Sequence, residues 1–178
     1  KDQAWYNMGL AYHAAGDFNQ AVASYREAAR LNPDFPDVWY HMGLVFYATE
    51  HYGEAIQAFR KVISRAPDMY EAWFNIGNAY LVWHEYADAI EAYEKAVLLK
   101  PDDYSSWGYL GSAYFGAGRY EKAVEACGKA FALNSEEPWI INSLALSRLF
   151  TGDATGALPL FQALLAADTG GQEVSRAI

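Results

Sequence analysis

The residues that could do chemistry in this chain are few and scattered. The one cysteine, Cys127, excludes an intrachain disulfide, so cysteine usage does not indicate a redox compartment. No His-Glu-x-x-His, Cys-x-x-Cys or phosphate-loop motif is present. His13 and His41 could approach one another, but two imidazoles without a third ligand make a poor zinc site. Since catalysis needs a nucleophile or a titrating pair in a dry pocket, we expect no enzyme, no metal and no cofactor.

Aromatic rings and small polar side chains recur in adjacent pairs, and this pattern is typical of a binding surface. Rings supply a large contact area with few rotatable bonds. An asparagine amide both donates to and accepts from a peptide backbone, whatever the sequence of that peptide. The recurring pairs are Tyr6 and Asn7, Tyr40 and His41, and Phe74 and Asn75.

These pairs are spaced 34 residues apart because the whole chain repeats with that period. Trp5, Trp39, Trp73 and Trp107 begin four units, and each Trp is followed at fixed distances by Gly, an aromatic residue and Ala. A period of this size indicates stacked supersecondary units, which bury their apolar faces against their neighbours. We therefore predict a single array over residues 1–171, with 172–178 as a tail or the start of a further helix. The five windows are 2–35, 36–69, 70–103, 104–137 and 138–171.

Each window is predicted to form two antiparallel helices, helix A and helix B. With the Trp at position 4, apolar residues recur at positions 4, 7, 8 and 11, and again at 17, 20, 21, 24, 27 and 28, which is helical spacing. Glycine at position 15 suits the left-handed residue that ends helix A. Small residues at positions 8 and 20 indicate the point where the two helices cross. In the last window we expect helix B over Thr155 to Ala167, ended by Thr169, Gly170 and Gly171.

The Trp-x-x-(Leu/Met/Ile)-Gly-x-x-(Tyr/Phe) pattern, followed by Ala, an aromatic residue, Ala and Pro, resembles the tetratricopeptide repeat. The resemblance covers about 170 of the 178 residues. It implies an all-α fold, a right-handed α-solenoid of antiparallel helix pairs, whose A helices line a concave groove that usually takes peptides. The departures from the pattern lie in the last two windows. They are Cys127 and Ser135 in the fourth, and Ile141, Ala145 and Arg148 in the fifth.

Positions 2, 5, 6, 9, 12 and 13 fall on the side of helix A away from its apolar stripe, where a partner is expected to bind. None of these positions holds Lys or Arg in any window. Family members that capture acidic chaperone tails use Lys and Arg there, so that activity is excluded. The alternative, that the rings pack on the neighbouring A helix, stays open. The predicted partner-binding residues are Tyr6, Asn7, Asp37, Tyr40, His41, Tyr47, Glu71, Phe74, Asn75, Asn78 and Tyr109.

The charge balance restricts the class of partner. The chain has 13 Lys and Arg against 22 Asp and Glu, a formal net charge of −9. Nucleic acids and anionic membranes select basic surfaces, so neither is expected as a partner. No apolar run approaches the roughly 20 residues that cross a bilayer, so membrane insertion is not expected. A neutral or basic polypeptide fits the charge.

The sequence therefore favours a non-catalytic scaffold that binds a neutral or basic peptide in the groove. Two alternatives stay open: the substrate-recruiting arm of a larger enzyme, such as a glycosyltransferase, and a self-assembling structural protein. The last helix carries apolar residues beyond those its own pair can cover. We expect that the tail folds back over them, that the chain is cut before a further repeat or domain, or that two copies form a homodimer through this helix. Those residues include Leu158, Leu160, Phe161, Leu164 and Leu165.

Overall fold

The computed structural model describes the backbone of residues 1–176 and the side chains of residues 1–167. Over residues 1–176 the chain forms ten helices and no strand, which confirms the all-α prediction. The A helices begin at position 1 of each window and the B helices at position 17. The helices are α1 (Asp2–Ala14), α2 (Phe18–Leu31), α3 (Pro36–Ala48), α4 (Tyr52–Ile63), α5 (Tyr70–Val82), α6 (Tyr86–Leu99), α7 (Tyr104–Gly116), α8 (Tyr120–Leu133), α9 (Pro138–Phe150) and α10 (Ala154–Arg176).

The helices form two compact units, Lys1–Glu85 with α1 to α5 and Tyr86–Ile178 with α6 to α10. Within each unit a helix packs mainly on the helices next to it in sequence. One A helix also contacts the next A helix, as in the pairs α1 with α3 and α7 with α9. Packing between nearest neighbours is the organisation expected of a repeat protein.

The turn between helix A and helix B has the same backbone in all five windows. Gly16, Gly118 and Gly152 at position 15 have φ of 78°, 71° and 86°, as their type predicted. Glu50 and His84 occupy position 15 in the other two windows, with φ of 62° and 60°. The repeat therefore imposes a left-handed residue even where the sequence supplies no glycine, at a cost of about 1 kcal/mol.

Glycine at position 8 marks the crossing of the two helices, as the sequence predicted. Gly43 lies against the ring of Phe59, and a Cβ added at Gly43 would come within 2.7 Å of that ring. Gly111 lies in the same way against Cys127. Phe59 and Cys127 both occupy position 24 of helix B and both are fully buried. Because glycine has no side chain, position 8 leaves a space on helix A, and the position-24 side chain of helix B fills it.

The tryptophans at position 4 tie successive repeats together. The indole Nε1–H of Trp39 donates to the carbonyl oxygen of Pro33 at 3.1 Å, and that of Trp73 donates to Pro67 at 2.9 Å. Trp107 makes the equivalent bond with Pro101 at 2.9 Å. The proline that ends one repeat thus supplies an acceptor to the tryptophan that opens the next.

The prediction that Thr169, Gly170 and Gly171 end the last helix was wrong. Helix α10 continues from Ala154 to Arg176, through all three residues. A glycine costs a helix about 1 kcal/mol relative to alanine but can adopt helical angles, and no proline follows to stop the chain. The predicted tail 172–178 is therefore helical over 172–176, while 177–178 lie outside the described residues. No helix among the described residues combines the length and apolar content that crossing a bilayer requires.

Candidate functional site

The predicted partner-binding residues of the first unit lie on three A helices, α1, α3 and α5. We call their positions 2, 5, 6, 9, 12 and 13 the A-helix surface. The rings at position 5, Tyr6, Tyr40 and Phe74, are each half-buried. Each ring therefore presents part of its area to solvent and packs the rest against the protein.

The buried part of each tyrosine packs on aromatic neighbours. The Tyr6 ring lies 5.0 Å from Phe35, 5.7 Å from His41 and 6.1 Å from Tyr25, between ring centroids. The Tyr40 ring lies 5.9 Å from Phe59 and 5.5 Å from His41. A position-5 tyrosine therefore rests on the position-24 ring of its own helix B. These contacts hold the exposed edges in fixed orientations.

The asparagines beside the rings already make hydrogen bonds within the chain. Asn75 Nδ2 donates to the backbone oxygen of Glu71 at 2.9 Å and, at 3.4 Å, to the hydroxyl of Tyr40. The second bond joins α5 to α3. On α1, Gln3 Nε2 donates to Asn7 Oδ1 at 3.0 Å. Asn7 is exposed, so its amide NH₂ faces water on the A-helix surface.

The electrostatics of this surface are set by carboxylates. Asp37 and Glu71 lie in the first turns of α3 and α5. Burial raises the pKa of Tyr6 and of Tyr40, and the negative charges of Asp37 and Glu71, respectively, raise these pKa values further. Burial lowers the pKa of His41 below its ordinary value, so His41 is neutral at pH 7. No Lys or Arg occupies these positions, so Asp37 and Glu71 carry the only formal charges of the A-helix surface at pH 7 when the histidines are neutral.

The remaining predicted residues of the first unit extend the same surface. Tyr47, near the end of α3, lies edge-on to Tyr52, with 5.3 Å between ring centroids. Tyr52 lies edge-on to Trp83 at 6.2 Å. Asn78 is half-buried on α5. Rings thus continue from the ladder of Tyr6, Tyr40 and Phe74 toward the C-terminal ends of the A helices.

Tyr109, the one predicted site residue of the second unit, has a different environment. Its ring stacks between Trp139, 5.0 Å away, and Tyr93, 6.1 Å away. Position 5 of this window is Gly108, and the Trp139 indole occupies the space where a Cβ of Gly108 would lie. Sequence reasoning did not single out Trp139. The available signal was a glycine at position 5 followed, one repeat later, by a tryptophan at position 2.

Groups capable of covalent or metal chemistry are not assembled in the described part of the chain. Burial raises the pKa of the Cys127 thiol to about 11, so the thiol is protonated at neutral pH and is a poor nucleophile. Among the described residues no three His, Cys, Asp or Glu side chains are grouped closely enough to hold a metal ion. The arrangement on the A-helix surface is suited to non-covalent recognition.

Comparison with known families places the repeats in register with the helices. A model described as "TPR repeat" matches residues 9–50, and models described as "Tetratricopeptide repeat" match residues 36–69, 70–103 and 104–137. The last three ranges coincide with the windows predicted from the period. A search of curated proteins found no match.

Similar solved structures cover nearly the whole chain. "MamA 41-end from Desulfovibrio magneticus RS-1" is 25% identical with a TM-score of 0.89, covering 95% of this chain and 96% of that one. "MamA RS-1 ArsTM double mutant" is 25% identical with a TM-score of 0.91, covering 97% of each chain. A crystal structure of MamA at 21% identity, with a TM-score of 0.90, covers 97% of this chain and 94% of its own and shows the shared fold. Tetratricopeptide solenoids are typically non-catalytic scaffolds that bind proteins.

Proposed function

Because the chain belongs to the tetratricopeptide repeat family, we propose that it binds a neutral or basic peptide segment on the A-helix surface of its first unit. In this role it is a non-catalytic scaffold, and residues 1–171 act as one array. In the family this surface corresponds to the concave groove. The proposed contact residues are Tyr6, Asn7, Asp37, Tyr40, His41, Tyr47, Glu71, Phe74, Asn75 and Asn78. Tyr109 lies in the second unit and stays a separate prediction from the sequence.

The observation that carries this proposal is that partly exposed rings and carboxylates lie together on a surface that has no Lys or Arg side chain. The rings of Tyr6 and Tyr40 are held by their packing on Phe35 and Phe59, so binding would immobilise few additional rotors. Covering their exposed edges contributes roughly 25 cal/mol for each Å² of apolar area removed from water.

The charge of this surface favours a basic ligand over an acidic one. Asp37 is exposed at the N-terminal end of α3, and Glu71 is half-buried at the same end of α5. Both would attract a Lys or Arg side chain and repel an acidic one. Their influence already reaches the rings, since each raises the pKa of a neighbouring tyrosine. The asparagine amides would bind the backbone of the peptide, which is common to all sequences.

The test compares two labelled peptides of equal length, one with Lys and one with Glu around a central Phe, by fluorescence anisotropy. The Asp37→Lys/Glu71→Lys variant should bind the Lys peptide about tenfold more weakly than the wild type, because like charges across an interface are costly. The matched control is Glu91→Lys/Glu121→Lys, two reversals at exposed positions of α6 and α8, which should change the affinity by less than about twofold. Equal effects of both variants, or no preference for the Lys peptide, would refute the proposal.

A second candidate is self-association through α10. Leu158 and Leu165 are 58% and 66% exposed on this helix. Large exposed apolar side chains close together mark interaction surfaces. The Leu158→Lys variant should then lower the sedimentation coefficient measured at high protein concentration, and a monomeric wild-type protein would rule this candidate out.

A further inference from the structure

A second surface of the first unit lies on its B helices, on the other side of α3 from the A-helix surface. Two adjoining cavities, with volumes of about 360 and 290 Å³, lie along α2 and α4 and share Arg26, Phe46 and Glu54 in their walls. We call the two together the α2–α4 groove. Its volume is in the range of sites that take side chains or small ligands.

The floor of the groove is apolar and its rim is charged. Trp39 and Phe46 are half-buried in the floor. Arg26, Glu54 and Lys61 are exposed on the rim, so the rim holds two cations and one carboxylate. This balance is opposite to that of the chain, whose net charge is −9. The groove is a local cationic site on an acidic protein.

Arg26 is the group that this rim leaves uncompensated. The ion pairs of the described residues join Arg30 to Glu27, Arg65 to Asp34, Arg148 to Asp153 and the N-terminus to Asp2, and Arg26 takes part in none of them. Its guanidinium offers five donors in a planar fork that fits a carboxylate.

The second unit contains a groove at the same repeat positions, and the carboxylate that replaces Arg26 there is engaged within the chain. This groove, of about 250 Å³, has Glu94 where the first has Arg26 and Tyr114 where the first has Phe46. The Tyr114 hydroxyl donates to Glu94 Oε1 at 2.6 Å. Phe46 has no hydroxyl, so no such bond can form in the first unit.

The lysines at position 26 differ in the same sense. Lys129 Nζ lies 4.1 Å from the centroid of Trp107 and covers that ring. The equivalent Lys61 Nζ lies 5.6 Å from the centroid of Trp39. A cation–π contact weakens with this distance, so Lys61 is held less closely to its ring. The first groove therefore has both an accessible ring and a lysine that can turn toward a ligand.

We propose that the α2–α4 groove is a docking site for an acidic peptide segment that carries one large apolar side chain. The apolar side chain covers Phe46 and Trp39, and the flanking carboxylates pair with Arg26 and Lys61. Charge complementarity selects this ligand, because two cations and an apolar floor fit carboxylates on either side of a hydrophobic anchor. The scaffold thereby has two surfaces of opposite charge preference.

The test is a titration of the ¹⁵N-labelled chain with a synthetic peptide containing one Phe flanked by Glu residues. The Trp39 indole N–H resonance should shift while the Trp107 resonance stays in place. Arg26→Glu should weaken binding by about tenfold, because Arg26 is proposed to pair directly with a carboxylate. Arg30→Glu, the same charge change at another exposed position of α2, should weaken binding by less than about twofold.

Several results would overturn the proposal. Failure of the Glu peptide to bind at millimolar concentration is one, and equal losses for Arg26→Glu and Arg30→Glu are another, since they would indicate non-specific attraction. Shifts confined to Asn7, Asn75 and Asn78 would assign the peptide to the A-helix surface. A matched peptide with Lys in place of Glu tests that other surface separately, so the two proposals can fail independently.

Discussion

The A-helix surfaces of the two units use the same repeat positions with different outcomes. In the first unit position 5 holds Tyr6, Tyr40 and Phe74, each partly exposed. In the second unit position 5 is Gly108 in one window, and Trp139 of the next window lies over it and stacks on Tyr109. The same helix arrangement therefore leaves rings partly exposed where position 5 is aromatic. Where position 5 is glycine, a side chain of the next repeat covers that position.

The grooves on the B-helix sides of the two units differ in a similar way, but here the difference lies in polar groups. Glu94 is hydrogen-bonded to Tyr114 in the second unit, whereas Arg26 and Phe46, which line the groove of the first unit, cannot form such a bond. In both cases the difference between an occupied surface and an accessible one comes from one or two side chains at fixed repeat positions. The two units share the same helix arrangement, and the side chains on it determine what each surface can bind.

The largest effect is expected where the two units are most alike, at the helix crossing. Gly43→Leu would place a branched side chain where even a Cβ lies 2.7 Å from the Phe59 ring. Because that ring is fully buried, moving it aside would disturb the surrounding core, so we expect a loss of about 3 kcal/mol in the free energy of unfolding, measured by urea denaturation.

Gly128→Ala is the matched control for this substitution. Gly128 lies inside α8, and a Cβ there would meet nothing within 4 Å. Alanine should stabilise the helix by about 1 kcal/mol relative to glycine. If Gly43→Leu were as harmless as Gly128→Ala, the shared crossing between helix A and helix B would be disproved.

The next prediction makes the second unit resemble the first. Gly108→Tyr restores an aromatic residue at position 5, but the space is filled by Trp139. The indole must leave Tyr109, so we expect a loss of about 2 kcal/mol from the ring stack and its buried area. Combining Gly108→Tyr with Trp139→Ala should recover part of this loss, because the two side chains compete for one site. Strictly additive losses in the double variant would argue against that competition.

The smallest predicted effect concerns position 24, which is Tyr25 in the first window and Phe59 in the second. The Tyr25 hydroxyl is buried and has no hydrogen-bond partner among the described residues. Since an unsatisfied buried hydroxyl is costly, Tyr25→Phe should raise the free energy of unfolding by about 1 kcal/mol in urea denaturation at pH 7.

The same substitution has a signature at alkaline pH. Burial raises the pKa of Tyr25 from 10 to about 12, so the folded state favours the protonated phenol. The unfolded state releases this proton first, and stability that is fully present below pH 10 is lost as the pH rises through 12. Tyr25→Phe should therefore lose less stability than the wild type between pH 10 and 12. A Tyr25→Phe variant that is destabilised at pH 7 would mean that the hydroxyl is satisfied.

Much of the fold could be predicted from the sequence because the same residue types recur at the same positions in several repeats. The apolar spacing indicates both helices, and glycine at positions 8 and 15 marks the crossing and the turn. The left-handed φ of Glu50 and His84 was not evident from residue type, since the neighbouring helices impose it. The end of α10 was predicted wrongly, because two glycines weaken a helix without being obliged to stop it.

The candidate sites were less accessible to sequence reasoning. Periodicity places Tyr6 and Tyr40 on one face, but it does not tell how much of each ring packs on Phe35 or Phe59. The position of Trp139 over Gly108 depends on the approach of two A helices from different repeats. The contrast between Arg26 and Glu94 becomes meaningful only when three helices in each unit form a groove that the side chain at this repeat position lines. These features arise from tertiary contacts, which a single sequence does not display.

The central claim is tested most directly by NMR titration of the ¹⁵N-labelled chain with the Lys peptide, in which the shifts of side-chain N–H resonances are measured. Asn7, Asn75 and Asn78 carry side-chain amides on the A helices of the first unit, and Asn142 carries one at position 5 of α9 in the second. We predict that the Lys peptide shifts the side-chain resonances of the first three and leaves Asn142 and the Trp139 indole unchanged. Shifts centred on Asn142 and Trp139, with the first unit unaffected, would contradict the assignment of peptide binding to the first unit.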